Sequence, residues 1–199
     1  MNSSRITVDD TSRVSLCVGC GVAALLLGVT VYFGLVGHAA SKETTGFDPN
    51  RPVPSDAILR SRLSADQYRV TRENGTETAF QNKFWNNVQP GIYVDVITGE
   101  PLFCSVDKFD GGTGRPTFSK PISKDSIVQK DDNSHDMHRI ELRAKRSDAH
   151  LGHLVVDPTS PSGQRYAVNS AALRFIPTAD MEHEGYSAYM SLVTPVATK

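Results

Sequence analysis

The chain is poor in cysteine, and this limits what can hold it together. Of its three cysteines, Cys17 and Cys20 lie in an apolar run and only Cys104 lies in the polar remainder. A lone cysteine cannot form a disulfide within its own domain, so that part must be stabilised by an apolar core. Cys17 and Cys20 have CxxC spacing, but a thiolate is costly in hydrocarbon and no second ligand pair accompanies them. We interpret them as small apolar residues.

The sequence also lacks an excess of charge of either sign. Its 21 Lys and Arg residues nearly balance 22 Asp and Glu residues. A nucleic-acid partner requires a net or clustered positive surface that neutralises phosphates. The composition therefore predicts an ordinary solvated surface and no nucleic-acid partner. The chain has no internal repeat and no low-complexity tract.

Charge is absent altogether from one long segment, residues 14–37, with the sequence VSLCVGCGVAALLLGVTVYFGLVG. A helix rising ~1.5 Å per residue spans the ~30 Å hydrocarbon core of a bilayer with a segment of this length. A cleaved signal peptide is the alternative, because small residues follow at 39–41. The apolar core of a signal peptide is usually only about 7–15 residues long. The segment therefore predicts a retained, single-pass transmembrane helix.

Small residues recur at four-residue intervals along this predicted helix, at Cys20, Ala24 and Gly28. Such a face lets a second membrane helix approach closely, although membrane helices are rich in small residues in any case. We expect this face to contact other subunits of a membrane complex. The charges on either side of the span only slightly favour a C-terminal domain on the positive-inside face. The inner membrane of an organelle, the mitochondrion, is the expected location, on the accessory-subunit idea alone.

The predicted organisation has four segments: a head at 1–13, the transmembrane helix at 14–37, a Pro-rich linker at 38–54 and a domain at 55–199. Pro49, Pro52 and Pro54 block helix formation and predict a semi-extended tether. Ser64 and Gln67 have the spacing of a capping box, which predicts a short helix through about residue 71.

Most later signals in the chain are typical of β-structure. Residues 91–97, 140–145 and 165–175 are rich in β-branched and aromatic residues or alternate apolar with charged ones. Glycines and prolines separate these runs, which favours antiparallel sheets over βαβ units. A last helix is predicted over residues 178–189.

Five stretches resemble the B-type methionine sulfoxide reductases, which act on the R-sulfoxide. They are QYRVTRENGTE at 67–77, PGIYVDV at 90–96, Ser134-His135 with Met137, HLGH at 150–153, and Arg165-Tyr166 followed by Asn169-Ser170. They occur in family order and cover roughly residues 64–186. The resemblance implies a mainly β fold of two antiparallel sheets with short flanking helices.

Many members of that family hold a structural zinc through two CxxC pairs. The four matching positions here are Asp95, Thr98, Ala144 and Ser147. A closed tetrahedral zinc site needs four thiolate or imidazole ligands, and these residues supply none. The chain resembles the zinc-free branch, and we predict no metal and no cofactor.

The resemblance fails at the residues that carry the family's chemistry. In the family, a cysteine thiolate attacks the sulfoxide sulfur, methionine leaves, and a second thiol resolves the sulfenic acid. The nucleophile position is Ala167 and the usual resolving position is Thr113. A methyl group has no lone pair, so the first step cannot occur at residue 167.

Other residues that line the family's pocket are partly changed. Its tryptophan corresponds to Arg115, and a histidine–glutamate pair of its acidic loop corresponds to Lys130 and Asp131. The remaining matches are His150, His153 and Asn169. Their functional role would be to polarise the sulfoxide and orient the nucleophile, and their structural role would be hydrogen bonding within the β-framework. Without a nucleophile we favour the structural role.

Two functions remain open at this point. The first is a catalytically degenerate reductase-like domain that acts as an accessory subunit of a membrane complex. Its pocket would bind an anionic group or a peptide, because Arg115 and Lys130 suit carboxylate or phosphate. The second is an active reductase that uses Cys104 or a thiol supplied in trans.

Overall fold

The computed structural model describes residues 46–193, apart from the side chain of His135. The predicted head, the transmembrane helix with Cys20, Ala24 and Gly28, and the first part of the predicted linker lie outside these residues. Within 46–193 no helix combines the length and the apolar character that a membrane span requires.

Three short α-helices flank the sheets: α1 (Asp56–Arg62), α2 (Ala65–Glu73) and α3 (Met190–Val193). The capping box that begins α2 is confirmed, since Ser64 Oγ accepts from the Gln67 backbone N–H at 3.2 Å. The Gln67 side chain in turn accepts from the Ser64 N–H at 3.0 Å. Asn74 ends α2 in the left-handed conformation, at φ 56°. The sequence reading missed α1, which has no side-chain cap.

Nine strands form two antiparallel sheets, as the resemblance implied. The bounds are β1 (Gly91–Asp95), β2 (Pro101–Cys104), β3 (Lys108–Phe109), β4 (Thr117–Phe118), β5 (Ile127–Asp132), β6 (Arg139–Ala144), β7 (His150–Val156), β8 (Gln164–Val168) and β9 (Leu173–Pro177). The three-stranded sheet has the order β2-β1-β9, and the six-stranded sheet has the order β3-β4-β8-β7-β6-β5.

Among the described residues, two clusters of buried side chains form the apolar core. Such a core was expected because a lone cysteine cannot form a disulfide within the domain. The larger contains Tyr93, Phe103, Phe118 and Leu151, and it joins the two sheets. The smaller contains Ile92, Cys104, Met181 and Tyr186, and it joins the three-stranded sheet to the C-terminal segment.

Two predicted elements are divided in the structure. The expected strand over 165–175 is β8 and β9, which lie in different sheets and are separated by a 3-10 turn at Ser170–Ala172. The expected helix over 178–189 is wrong, because two 3-10 turns occur instead, at Thr178–Asp180 and Ser187–Tyr189. Gly185 lies between these turns at φ 80°, a conformation that no right-handed helix continues through.

The described part of the predicted linker contacts the domain. Arg146 Nη1 donates to the Asp48 carbonyl at 2.8 Å, and Arg146 Nη2 donates to the Arg51 carbonyl. The Arg146 guanidinium also lies 5.5 Å from the Phe47 ring centre, and Phe47 packs against the smaller cluster. The chain is thus held against the domain from about residue 47.

Candidate functional site

A row of five residues crosses the six-stranded sheet through Ala167, the predicted nucleophile position. Thr117 lies opposite Ala167, Ala167 opposite His153, His153 opposite Glu141, and Glu141 opposite Lys130. Residues directly opposite in antiparallel strands share a face, with Cβ atoms about 4.5–5.5 Å apart. Ala167 therefore presents its methyl group between a threonine and a histidine.

A bulge in β7 places the two histidines on one face. In a regular strand, residues three apart point to opposite faces. Here the pairing shifts between Leu142 and Arg143 of β6, so that Leu151 is the extra residue of β7. A Cβ on Gly152 would lie 2.2 Å from the Ala167 carbonyl oxygen, so the bulge needs glycine at this point. As a result the rings of His150 and His153 lie 5.4 Å apart.

Each histidine forms a hydrogen bond with a carboxylate, and that carboxylate also accepts a hydrogen bond from an arginine. His153 Nε2 lies 2.8 Å from Asp132 Oδ2, which accepts from Arg139 at 2.6 Å. Hydrogen bonds from Ser134, then the hydrogen bond with His153 and the charge of Arg139, hold the pKa of Asp132 well below its usual range. Asp132 is therefore ionised under all ordinary conditions.

The second histidine, His150, is almost completely buried. Its Nδ1 lies 2.7 Å from Glu141 Oε1, which also accepts from Arg143 Nη1 at 2.6 Å. Burial lowers the pKa of His150 from its ordinary value of 6.5, although Glu141 acts in the opposite direction. Because Nδ1 faces the Glu141 carboxylate, Nδ1 is the nitrogen that donates, and Nε2 has no partner among the described residues.

Sequence reasoning missed Asp132, Arg139, Glu141 and Arg143, although a signal for three of them was available. Positions 139, 141 and 143 alternate with Ile140, Leu142 and Ala144 along β6. That alternation predicted a strand, and it also predicts that the three charged side chains share one face. The alternation does not show that this face lies beside the histidines, because that depends on the pairing of β6 with β7.

Beside these histidines lies a cleft of about 550 Å³. Its walls come from the end of α2 and the following residues, from the β5–β6 connection, and from His150 and His153 of β7. Asp131, His150 and His153, three of the six predicted pocket residues, are among its lining. Arg115, Lys130 and Asn169 are not.

The polar atoms of those three residues have other partners. The Arg115 guanidinium donates from Nε and Nη2 to the Glu77 carbonyl at 3.2 and 3.0 Å. Lys130 Nζ pairs with Asp148 at 3.1 Å. Asn169 accepts from the Glu77 N–H at 3.0 Å and donates to the Leu151 carbonyl at 3.0 Å. Asn169 thus has a structural role, and anion binding by Arg115 and Lys130 stays a prediction.

The predicted resolving and nucleophile positions, Thr113 and Ala167, lie close together. Thr113 Oγ1 is 3.5 Å from Thr117 Oγ1, and Thr117 lies directly opposite Ala167. The loop around Thr113 passes tightly against the chain at Phe80. A Cβ on Gly114, whose φ is 67°, would lie 2.6 Å from the Phe80 nitrogen. Thr113, Thr117 and Ala167 therefore lie next to one another in this fold.

The four zinc-matching positions do not form a set of ligands. Asp95 is fully buried and accepts from the Thr98 hydroxyl at 2.6 Å and from the N–H groups of Ile97 and Thr98. Burial raises its pKa, while these hydrogen bonds act in the opposite direction. Two hydroxyls, a methyl group and one bonded carboxylate do not fit zinc. Among residues 46–193 no three His, Cys, Asp or Glu side chains are grouped to hold a metal ion.

Cys104, the alternative nucleophile, lies in the other sheet. It is 1% exposed at the end of β2, and its Sγ contacts the carbonyl oxygens of Leu192 at 3.6 Å and Gly91 at 3.9 Å. Burial raises the pKa of this thiol. A buried, protonated thiol is a poor nucleophile.

Comparison with known proteins places this architecture in a family. The SelR domain model matches residues 63–177. The peptide methionine sulfoxide reductase MsrA/MsrB of Vibrio cholerae serotype O1 is 49% identical over 139 residues, which is 70% of this chain. The matched region covers 37% of the length of that relative. The chain therefore belongs to the SelR-domain family of B-type methionine sulfoxide reductases.

Proposed function

We propose that the domain is a non-catalytic member of this family and that it serves as a membrane-anchored accessory subunit. One observation carries the first half of this proposal. The sheet position opposite His153, beside Thr117, holds the methyl group of Ala167. Attack on a sulfoxide needs a thiolate at that place, and the domain's own thiol is buried in the other sheet.

The anchoring half of the proposal rests on residues 14–37 of the sequence. A charge-free segment of this length favours a membrane span, and its small-residue face favours contact with another helix. A domain without a nucleophile, held at a membrane, has binding as its remaining role. The cleft lined by His150 and His153 is the candidate binding site for a ligand.

The competing function is reduction of methionine sulfoxide through Cys104 or through a thiol in trans. The full chain in mild detergent is assayed with dithiothreitol on free and on peptide-bound methionine-R-sulfoxide. We expect no turnover above the protein-free rate, in the wild type or in Cys104→Ser. Turnover that Cys104→Ser abolishes would assign the reaction to Cys104. Turnover that persists in the variant would assign it to an external thiol, and either result would overturn the proposal.

The accessory role is tested through the small-residue face of the predicted membrane helix. Gly28→Leu adds a large side chain to that face, and Thr30→Leu adds one about 200° around the helix. After solubilisation in mild detergent, we expect the wild type and Thr30→Leu to sediment as one defined complex. Gly28→Leu is expected to sediment as the free chain, because close helix approach is lost. A wild-type chain that sediments alone would contradict the accessory role.

A further inference from the structure

The cleft beside His150 and His153 contains more acid than base. Among its lining residues are Glu73, Asp131, Asp132 and Glu141, against a single arginine, Arg139. Arg139 donates from Nη2 to Asp132, which also bonds His153, so the charges of Arg139 and Asp132 are paired with each other. Among the described side chains, which do not include that of His135, the carboxylates of Glu73 and Asp131 have neither a hydrogen bond nor an ion pair. The free charge of the cleft is therefore negative.

A second observation, independent of this charge, comes from His150. The residue lines the cleft, its side chain is only 3% exposed, and no described residue gives its Nε2 a hydrogen bond. Because Nδ1 donates to the Glu141 carboxylate, the neutral ring carries its lone pair on Nε2. A buried acceptor without a donor is costly, and such groups are normally satisfied by a partner. His150 therefore requires a donor.

The remaining unsatisfied groups are mainly acceptors as well. Glu141 uses Oε1 for both His150 and Arg143, which leaves Oε2 free within residues 46–193. Nε of Arg139 is a buried donor without a partner. A complementary ligand has a cationic group with several N–H donors and, close to it, one acceptor. An arginine or lysine side chain with its own backbone carbonyl has this combination.

We propose that this cleft binds a basic side chain of a peptide, with the cation directed at His150, Glu141 and the Asp131 rim. Met137, which lines the same cleft and is 47% exposed, offers an apolar contact for the stem of such a side chain. The proposal deepens the binding role proposed above by naming the class of ligand. It concerns the charge of the cleft and not the identity of residue 167.

Peptide titration of the full chain in neutral detergent tests the inference. The probes are acetyl-Gly-Arg-Gly-amide and the same peptide with lysine or glutamate in place of arginine. Binding is measured by calorimetry. We expect the two basic peptides to bind and the acidic one not to bind. Asp131→Asn and Glu73→Gln should each weaken binding of the arginine peptide about 2- to 5-fold, as for single exposed charge pairs. Asp125→Asn makes the same charge change outside the cleft and should leave binding unchanged.

Imidazole ¹⁵N resonances give a readout that does not depend on affinity. Binding of the arginine peptide should move the Nε2 resonance of His150, because its lone pair gains a donor. The Nε2 resonance of His153 should not move, since that atom is already bonded to Asp132. Absence of binding, preference for the acidic peptide, equal response of Asp125→Asn, or an unmoved His150 resonance would each overturn the proposal. The reductase assay uses other variants and another substrate, so either proposal can fail alone.

Discussion

Replacing Ala167 with cysteine is expected to give the chain reductase activity with dithiothreitol. The new thiol would lie between His153 and Thr117, the residues opposite Ala167 on the two neighbouring strands. Its thiolate would attack the sulfoxide sulfur, methionine would leave, and dithiothreitol would reduce the cysteine sulfenic acid with release of water. Turnover of peptide methionine-R-sulfoxide is the measurement.

The matched control is Ala171→Cys, which makes the same change four residues along the chain, beyond the end of β8. We expect Ala167→Cys to be at least about 100-fold faster than Ala171→Cys, the range contributed by a positioned acid–base group. Equal rates for the two cysteine variants would show that the site is not organised for this reaction.

The second large effect concerns Arg143, which joins three parts of the domain. Its side chain is 10% exposed and pairs with Glu141 at 2.6 Å and Asp148 at 2.8 Å, and it donates to Asn74 at 2.9 Å. Arg143→Met removes the cation and leaves the partly buried Glu141 carboxylate, whose side chain is 14% exposed, without its charged partner. Breaking a buried pair in this way costs about 3–5 kcal/mol. We expect a loss of about 3 kcal/mol in the free energy of unfolding, measured by denaturant titration.

Lys130→Met is the matched control for Arg143→Met, because Lys130 pairs with the same Asp148. The Lys130 side chain is 50% exposed, and exposed pairs contribute at most about 1 kcal/mol. A loss of equal size in both variants would show that Asp148, and not burial of Arg143, decides the stability. A loss below about 1 kcal/mol for Arg143→Met would show that Arg143 does not hold the network together.

The sequence was informative where a local pattern has a single structural meaning. Ser64 and Gln67 predicted the start of α2 because a capping box requires only four consecutive residues. The alternation in β6 predicted its extent to within about one residue. The motifs predicted two antiparallel sheets because they match a family with that fold. By contrast, α1 has no capping side chain, and the division between β8 and β9 depends on contacts that Asn169 and Ser170 make with distant residues.

The candidate site was predictable only in part, for a related reason. His150 and His153 are three residues apart, and only the bulge at Leu151 brings them onto one face. The charges of Arg115 and Lys130 suit an anion, but the sequence does not show where their side chains point. In the structure Arg115 points to the Glu77 carbonyl and Lys130 to Asp148. The cleft is negative because acidic residues of α2, β5 and β6, which are distant in sequence, come together in the fold.

The packing around residue 167 explains why the fold does not depend on which small side chain occupies this position. Tyr166 and Val168 are buried in the larger cluster, while the side chain between them faces the histidine row outside that cluster. Folding thus depends on the neighbours of this residue, and it makes no demand for sulfur at the position itself. Alanine and cysteine can therefore exchange at position 167 without changing a contact within the larger cluster.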